Sequence, residues 1–165
     1  MVLDSVDTDP VETERVWRAT PAHADVVGRM LCDFNTEFET PGPSAGEFSM
    51  RLAGLLHRDD LIVLLTGDDD DPDGLALLTL RLTHFFDGPL AQLEELYVRP
   101  TRRDQGIGTA LLNEAIRLVR HRGGQEMHIN VDEVDTAARR FYERHGFVNI
   151  EPGADYRMLC YLQGL

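Results

Sequence analysis

The segment RRDQGIGTALL, residues 102–112, constrains the fold more than any other part of the chain. An apolar strand-like run that ends at Pro100 precedes it, and a helix is predicted over residues 109–121 after it. The order strand, glycine loop, helix directs successive backbone N–H groups towards the helix start, where the helix dipole also favours an anion. Gly106 and Gly108 would let that anion approach the backbone closely. The segment therefore predicts an anion-binding loop.

Two familiar phosphate loops are excluded by single residues. A P-loop requires Gly-Lys-Ser/Thr, whereas all 16 basic residues of this chain are arginines. A dinucleotide-binding fingerprint would place glycine or alanine three residues after Gly108, and Leu111 stands there. A structural turn that binds no ligand remains open at this point.

Hydrophobic periodicity predicts one α/β domain over residues 15–165, with a mixed, mostly antiparallel sheet flanked by helices in the order β-α-α-β-β-β-α-β-α-β-β. Residues 1–14 are acidic and aperiodic, which predicts a flexible N-terminal segment. Helices are expected after Pro21, after the Ser44–Glu47 capping box, over 109–121 and over 135–146. The predicted strands are 15–20, 61–66, 75–86, 91–100, 126–131, 147–151 and 156–162.

Charge and composition exclude several partners. The net charge of −13 would repel nucleic acid and anionic membranes. No apolar run approaches the roughly 20 residues that span a bilayer, and the N-terminus lacks a signal-peptide pattern, so we expect a cytoplasmic protein. Cys32 and Cys160 show no metal-ligand spacing, which predicts reduced thiols and no metal site.

Two motifs carry a family resemblance. VRPTRRDQGIGTALL resembles motif A of the GNAT acyl-CoA-dependent N-acetyltransferases, whose pattern Arg/Gln-x-x-Gly-x-Gly/Ala is filled by Arg103, Gly106 and Gly108. AARRFYERHGF resembles the second half of the acyl-CoA motif of the same family. Both motifs occur in the family's order. The resemblance implies the GNAT fold from residue 15 to the end, and acetyl-CoA as co-substrate.

The resemblance also implies a coenzyme site, in which the loop amides bind the pyrophosphate and the pantetheine arm lies along the preceding strand. Asp104 replaces a glycine that is common in the family, so coenzyme affinity is expected to be reduced, although aspartate tolerates unusual backbone angles. Asp135 replaces the usual asparagine and is placed as a helix N-cap. The implied coenzyme-binding residues are Leu96, Tyr97, Val98, Arg103, Asp104, Gln105, Gly106, Ile107, Gly108, Thr109 and Asp135.

Acetyl transfer to an amine needs a base, because an alkyl ammonium of pKa about 10.4 must first lose a proton. Glu94 and Glu95 are adjacent strand residues, so we expect them to face opposite sides. LEELYV resembles the polyamine and diamine N-acetyltransferases, which favours Glu94 as the base over Glu95 and implies a polyamine-like primary amine as acceptor. By resemblance, Tyr142 is the acid that protonates the departing thiolate. The tetrahedral intermediate develops an oxyanion, which a backbone N–H near Val98 on the same strand could stabilise.

Two further residues are expected at the acceptor site. His84 is predicted on the strand before the base, and Glu37 lies between the first two helices. The expected reaction is direct attack in a ternary complex, and the resemblance alone suggests a homodimer. An N-terminal acetyltransferase of proteins or peptides, which would need an open groove, and a non-catalytic acyl-CoA-binding sensor remain alternatives.

Overall fold

A computed structural model describes residues 15–164. The predicted flexible segment 1–14 therefore lies outside the described residues. Residues 15–164 fall into two compact units, one ending at His128 and the other beginning at Ile129. Their strands are β1 (Val16–Arg18), β2 (Leu61–Gly67), β3 (Pro72–Arg81), β4 (Leu90–Val98) and β5 (Met127–Ile129), and their helices are α1 (Ala24–Glu37), α2 (Ala45–Leu55), α3 (Ile107–His121) and α4 (Thr136–Arg144).

The strands form a five-stranded mixed sheet in the order β1-β2-β3-β4-β5. Neighbouring strands from β1 to β4 are antiparallel, and α3 connects β4 to β5. This architecture confirms the predicted α/β fold class. None of the helices within residues 15–164 is long and apolar enough to cross a membrane.

Each face of the sheet in the first unit has its own apolar core. One face packs against α1 and α2, through a cluster that includes Val27, Met30, Leu52, Val63, Leu65, Leu75, Leu77 and Tyr97. The stripe of α3 that was predicted from helical spacing is buried at Leu112, Ala115 and Val119. A Cβ on Gly74 of β3 would lie 2.8 Å from a side-chain carbon of Ile107 and 2.9 Å from one of Leu111. Glycine at position 74 therefore lets the first turns of α3 approach β3 closely.

The predicted helix starts are confirmed by local hydrogen bonds. The Ser44 hydroxyl accepts from the Glu47 N–H at 3.3 Å, and the Glu47 carboxylate accepts from the Ser44 N–H at 2.9 Å. The Asp135 carboxylate accepts from the Ala138 N–H at 2.9 Å, as an N-cap does. A short 3₁₀ turn, Pro21–His23, precedes α1. The capping signals therefore located these helices correctly.

The second unit contains α4 but neither of the predicted strands 147–151 and 156–162. Those two assignments are wrong within the described residues. A strand needs a ladder of backbone bonds and a buried face, and β-propensity alone does not supply either. Here the Met158 N–H donates to the Asn149 carbonyl at 2.8 Å, but the apolar side chains of the segment are exposed, as at Val148, Tyr161 and Leu162.

Candidate active site

The glycine loop adopts the geometry that the sequence predicts. A 3₁₀ turn, Pro100–Arg102, follows β4, and then Asp104 (φ +60°) and Gly106 (φ +87°) take left-handed conformations. The Ala110 N–H makes the first bond of α3, to the Gly106 carbonyl at 2.9 Å. The N–H groups of Ile107 and Gly108 thus have no acceptor within the helix, and no side chain of residues 15–164 caps its N-terminus.

The loop also borders open space among residues 15–164, because a Cβ on Gly106 would have none of their atoms within 4 Å. Alternating backbone conformations and a helix N-terminus together form a concavity lined with N–H groups. The residues present therefore fit an anionic group such as a pyrophosphate. Asp104 does not prevent the loop from forming, and the Gln105 amide closes the loop internally by donating to the Thr101 carbonyl at 3.3 Å.

The end of β4 presents alternate backbone groups on its two sides. The Arg99 N–H donates to the carbonyl of Asp73 in β3 at 2.9 Å, and the register of β3 and β4 pairs Tyr97 with Leu75. In an antiparallel ladder this directs the backbone groups of Tyr97 towards β3 and those of Leu96 and Val98 away from it. Of the three residues expected along the pantetheine arm, Leu96 thus offers both backbone groups to a ligand, whereas Tyr97 offers neither. Val98 offers its N–H, because its carbonyl accepts from Arg103 Nε at 3.0 Å.

A β-bulge lies at Glu94 and corrects one expectation. Leu77 pairs with Glu95 and Leu78 with Leu93, so Glu94 is the extra residue of β4. The Glu94 carboxylate accepts a hydrogen bond from the hydroxyl of Thr79, which lies two residues beyond Leu77 and so on the same face. The prediction that Glu94 and Glu95 face opposite sides is therefore wrong, because the bulge breaks the alternation of β4.

Glu94 and Glu95 thus share the face of the sheet that packs against α1 and α2, since Leu77 belongs to that core. Glu94 is exposed and Glu95 is half-buried. Burial, together with the negative charge of Glu94, raises the pKa of Glu95. The structure therefore brings together two carboxylates, one of which holds its proton more tightly than an ordinary glutamate.

The last turns of α1 add further acids beside the same strand. Asp33 lies 3.3 Å from Arg99, and Glu37 lies 2.7 Å from Arg103. Between them the Phe34 ring packs edge-on against the ring of Tyr97, with centroids 5.6 Å apart. Burial raises the pKa of Tyr97, and the charges of Glu37 and Asp33 raise it further.

Two further predicted residues, His84 and Tyr142, belong to other segments of the chain. β3 ends at Arg81 rather than at residue 86, so His84 is not on a strand but in the exposed loop before β4, with its ring against that of Phe85. In the second unit, Tyr142 is buried and its ring packs edge-on against those of Phe141 and Phe147.

Two residues of the site escaped sequence reasoning. Thr79 binds Glu94. Arg99 pairs with Asp33 of α1 at 3.3 Å, and it also donates to the carbonyl of Pro72, the first residue of β3, at 2.8 Å and to Asp71 of the preceding turn at 2.8 Å. In the sequence, Arg99 could be recognised as a basic residue at the end of a predicted strand. Thr79 gave no signal, because its role depends on the register of β3 and β4.

Three comparisons relate the chain to known proteins. A crystal structure of a candidate acetyltransferase from Arthrobacter sp. FB24 is 50% identical, covers 95% of this chain and 99% of that one, and superposes with a TM-score of 0.88. Mycothiol acetyltransferase from Thermobispora bispora is 37% identical over 71 residues, which are 43% of this chain and 24% of that protein. Aminoglycoside N(6')-acetyltransferase type 1 from Klebsiella aerogenes is 28% identical over 106 residues, 63% of this chain and 70% of that protein.

The chain spans only about a quarter of the length of the mycothiol enzyme, so that likeness concerns one part of the larger protein. The sequence model of the acetyltransferase (GNAT) family matches residues 28–147, a range that includes the glycine loop, the bulge at Glu94 and α4. The narrower resemblance to polyamine enzymes stays a prediction. With the family model matching most of its length, the chain belongs to the acetyltransferase (GNAT) family.

Proposed function

We propose that this protein is an acetyl-CoA-dependent N-acetyltransferase that acts on a primary amine of a small polycationic molecule, by direct attack in a ternary complex. The bulge of β4 carries the proposal, because it places Glu94 and Glu95 on one face of the strand that leads into the anion-binding loop. A strand with two acids beside an anion site suits a reaction between a cationic amine and a phosphate-bearing donor.

The coenzyme would be held by backbone groups. The loop amides at Gly106, Ile107 and Gly108 would bind its pyrophosphate, and the outward backbone groups of Leu96 would pair with a pantetheine amide. Acetyl-CoA supplies a thioester, whose acetyl group is the one transferred. The N–H of Val98 is then a donor for the oxyanion that develops on the carbonyl oxygen.

Glu94 and Glu95 would have different roles towards the amine. Exposed Glu94 attracts the ammonium, and half-buried Glu95 takes the proton, because a base works best when its pKa is brought nearer to the working pH. This assignment revises the preference for Glu94 as base, which rested on resemblance alone.

The transfer balances with one further proton. The nitrogen lone pair forms the C–N bond, and the oxyanion then collapses as the C–S bond breaks. The nitrogen gives up its second proton to become the neutral amide, and the thiolate takes up one proton to leave as the free thiol. Tyr142 remains the proposed donor of that proton through the family resemblance, since a phenol of pKa about 10 can protonate a thiolate.

The proposed acceptor class follows from charge. LEELYV resembles the polyamine enzymes, and the relative from Klebsiella aerogenes acts, by its name, on an aminoglycoside. Both acceptors are small molecules with several amines, and a chain of net charge −13 attracts such cations. Polyamines and aminoglycosides therefore lead the acceptor panel, ahead of amino acids and peptides.

The test is a thiol-release assay with acetyl-CoA across that panel. We expect turnover with at least one polyamine or aminoglycoside, a large loss of kcat in E95Q, and a raised KM for the amine in E94Q. E114Q is the matched control, because Glu114 pairs with Arg117 on α3 at 2.6 Å and should leave turnover unchanged. Coenzyme A binding without turnover on any amine would favour the sensor alternative, and turnover on peptides alone would favour the peptide enzyme.

A further inference from the structure

The side chain of Arg103 connects the glycine loop to the end of α1. Its Nε–H donates to the Val98 carbonyl at 3.0 Å, and its Nη2 lies 2.7 Å from Glu37 Oε1. These contacts use one edge of the guanidinium plane. Arginine has five N–H donors in a rigid fork, so the Nη1 end is left for another acceptor. Within residues 15–164, Nη1 makes no hydrogen bond.

The position of Glu37 is not explained by local structure. It is the last residue of α1, where the partial negative charge of the helix C-terminus repels a carboxylate. The ion pair with Arg103, 66 residues away in the chain, offsets that repulsion. Glu37 therefore belongs to a tertiary contact between α1 and the loop, and not to the capping of its own helix.

We infer that Glu37 is a positioning residue for coenzyme binding, which holds Arg103 so that its free Nη1 end can reach a coenzyme phosphate at the loop. The inference rests on the proposed function, since it takes this loop to be the pyrophosphate site. An arginine that is already anchored loses less conformational freedom when it binds a phosphate. The role replaces the acceptor contact expected of Glu37, whose carboxylate is engaged by Arg103.

The chain offers a matched control for charge. Asp33 lies one turn earlier on α1 and pairs with Arg99 rather than with Arg103. D33N and E37Q each remove one negative charge from the same end of the helix, but only E37Q releases Arg103. The difference between these variants therefore separates the anchoring of Arg103 from the loss of a charge that repels phosphate.

The experiment is calorimetric titration of coenzyme A into the wild type, E37Q, D33N, R103Q and the double variant E37Q/R103Q. We expect the Kd of E37Q to be several-fold higher than that of D33N, and the two R103Q proteins to have equal Kd. E37D, which keeps the charge on a shorter stem, should recover part of the affinity.

Three results would overturn the inference. These are an equal Kd in E37Q and D33N, a tighter Kd in E37Q than in D33N, and a raised KM for the amine in E37Q with the coenzyme Kd unchanged. The last result would make Glu37 an acceptor contact instead. If the wild type bound no coenzyme A, the proposed function itself would fail, and the inference with it.

Discussion

Replacing Gly106 by alanine should damage the loop in a way that the backbone geometry predicts. Gly106 has φ +87°, and a Cβ there meets no atom within 4 Å. Steric overlap therefore contributes nothing, and the cost is that of a left-handed L-residue, about 1–2 kcal/mol. For a chain of 165 residues each kcal/mol lowers Tm by about 2–4 °C, so the melting temperature should fall by roughly 2–8 °C.

The same substitution adds a methyl group to the space assigned to the pyrophosphate. We expect the Kd for coenzyme A to rise about tenfold or more, equivalent to about 1.4 kcal/mol. G54A is the control, because a Cβ on Gly54 also meets nothing, but this glycine lies inside α2. It should stabilise the protein by about 0.5–1 kcal/mol and leave binding unchanged. A G106A protein that melts and binds like the wild type would refute the reasoning.

Three other substitutions test separate parts of the structure. E95Q should raise Tm at pH 7, because the raised pKa of Glu95 means that its ionisation destabilises the folded protein as pH rises. The gain in Tm should shrink below pH about 4.3, where the carboxyl is protonated in both states; an equal gain at pH 7 and below pH about 4.3 would contradict this. G74A should lower the free energy of unfolding by about 1–3 kcal/mol in chemical denaturation, since the added Cβ meets the fully buried side chain of Leu111. An unchanged denaturation midpoint would contradict this and would show that α3 shifts freely. D135A should lower the free energy of unfolding by about 1 kcal/mol in chemical denaturation, because it removes the acceptor of the Ala138 N–H. D135N should keep the cap, and an equal loss in both variants would argue against capping.

The sequence predicts the fold well where the signal is local. The capping box at Ser44, the N-cap at Asp135 and the apolar stripe of α3 each depend on residues within a few positions of one another, and the structure confirms them. The glycine loop belongs to the same class, because its left-handed residues and the helix start follow from its own composition.

The site depends on contacts that no local pattern contains. The bulge at Glu94 is set by the register between β3 and β4, and the continuous apolar run of β3 does not mark where one residue is skipped. The ion pair of Glu37 with Arg103 joins residues 66 positions apart. The two strands predicted after residue 146 are a further case, since their sequence favours pairing but the structure provides no ladder.

The most direct test of the account is the pH dependence of kcat/KM for the preferred amine in the wild type, E94Q and E95Q. If Glu95 is the base, the wild type should lose activity as pH falls through its raised pKa, and E94Q should do so at a lower pH, because the charge that adds to the effect of burial is gone. E95Q should lose that dependence together with most of its turnover. An acid limb that persists unchanged in E95Q would contradict the central claim that the bulge of β4 places the catalytic base.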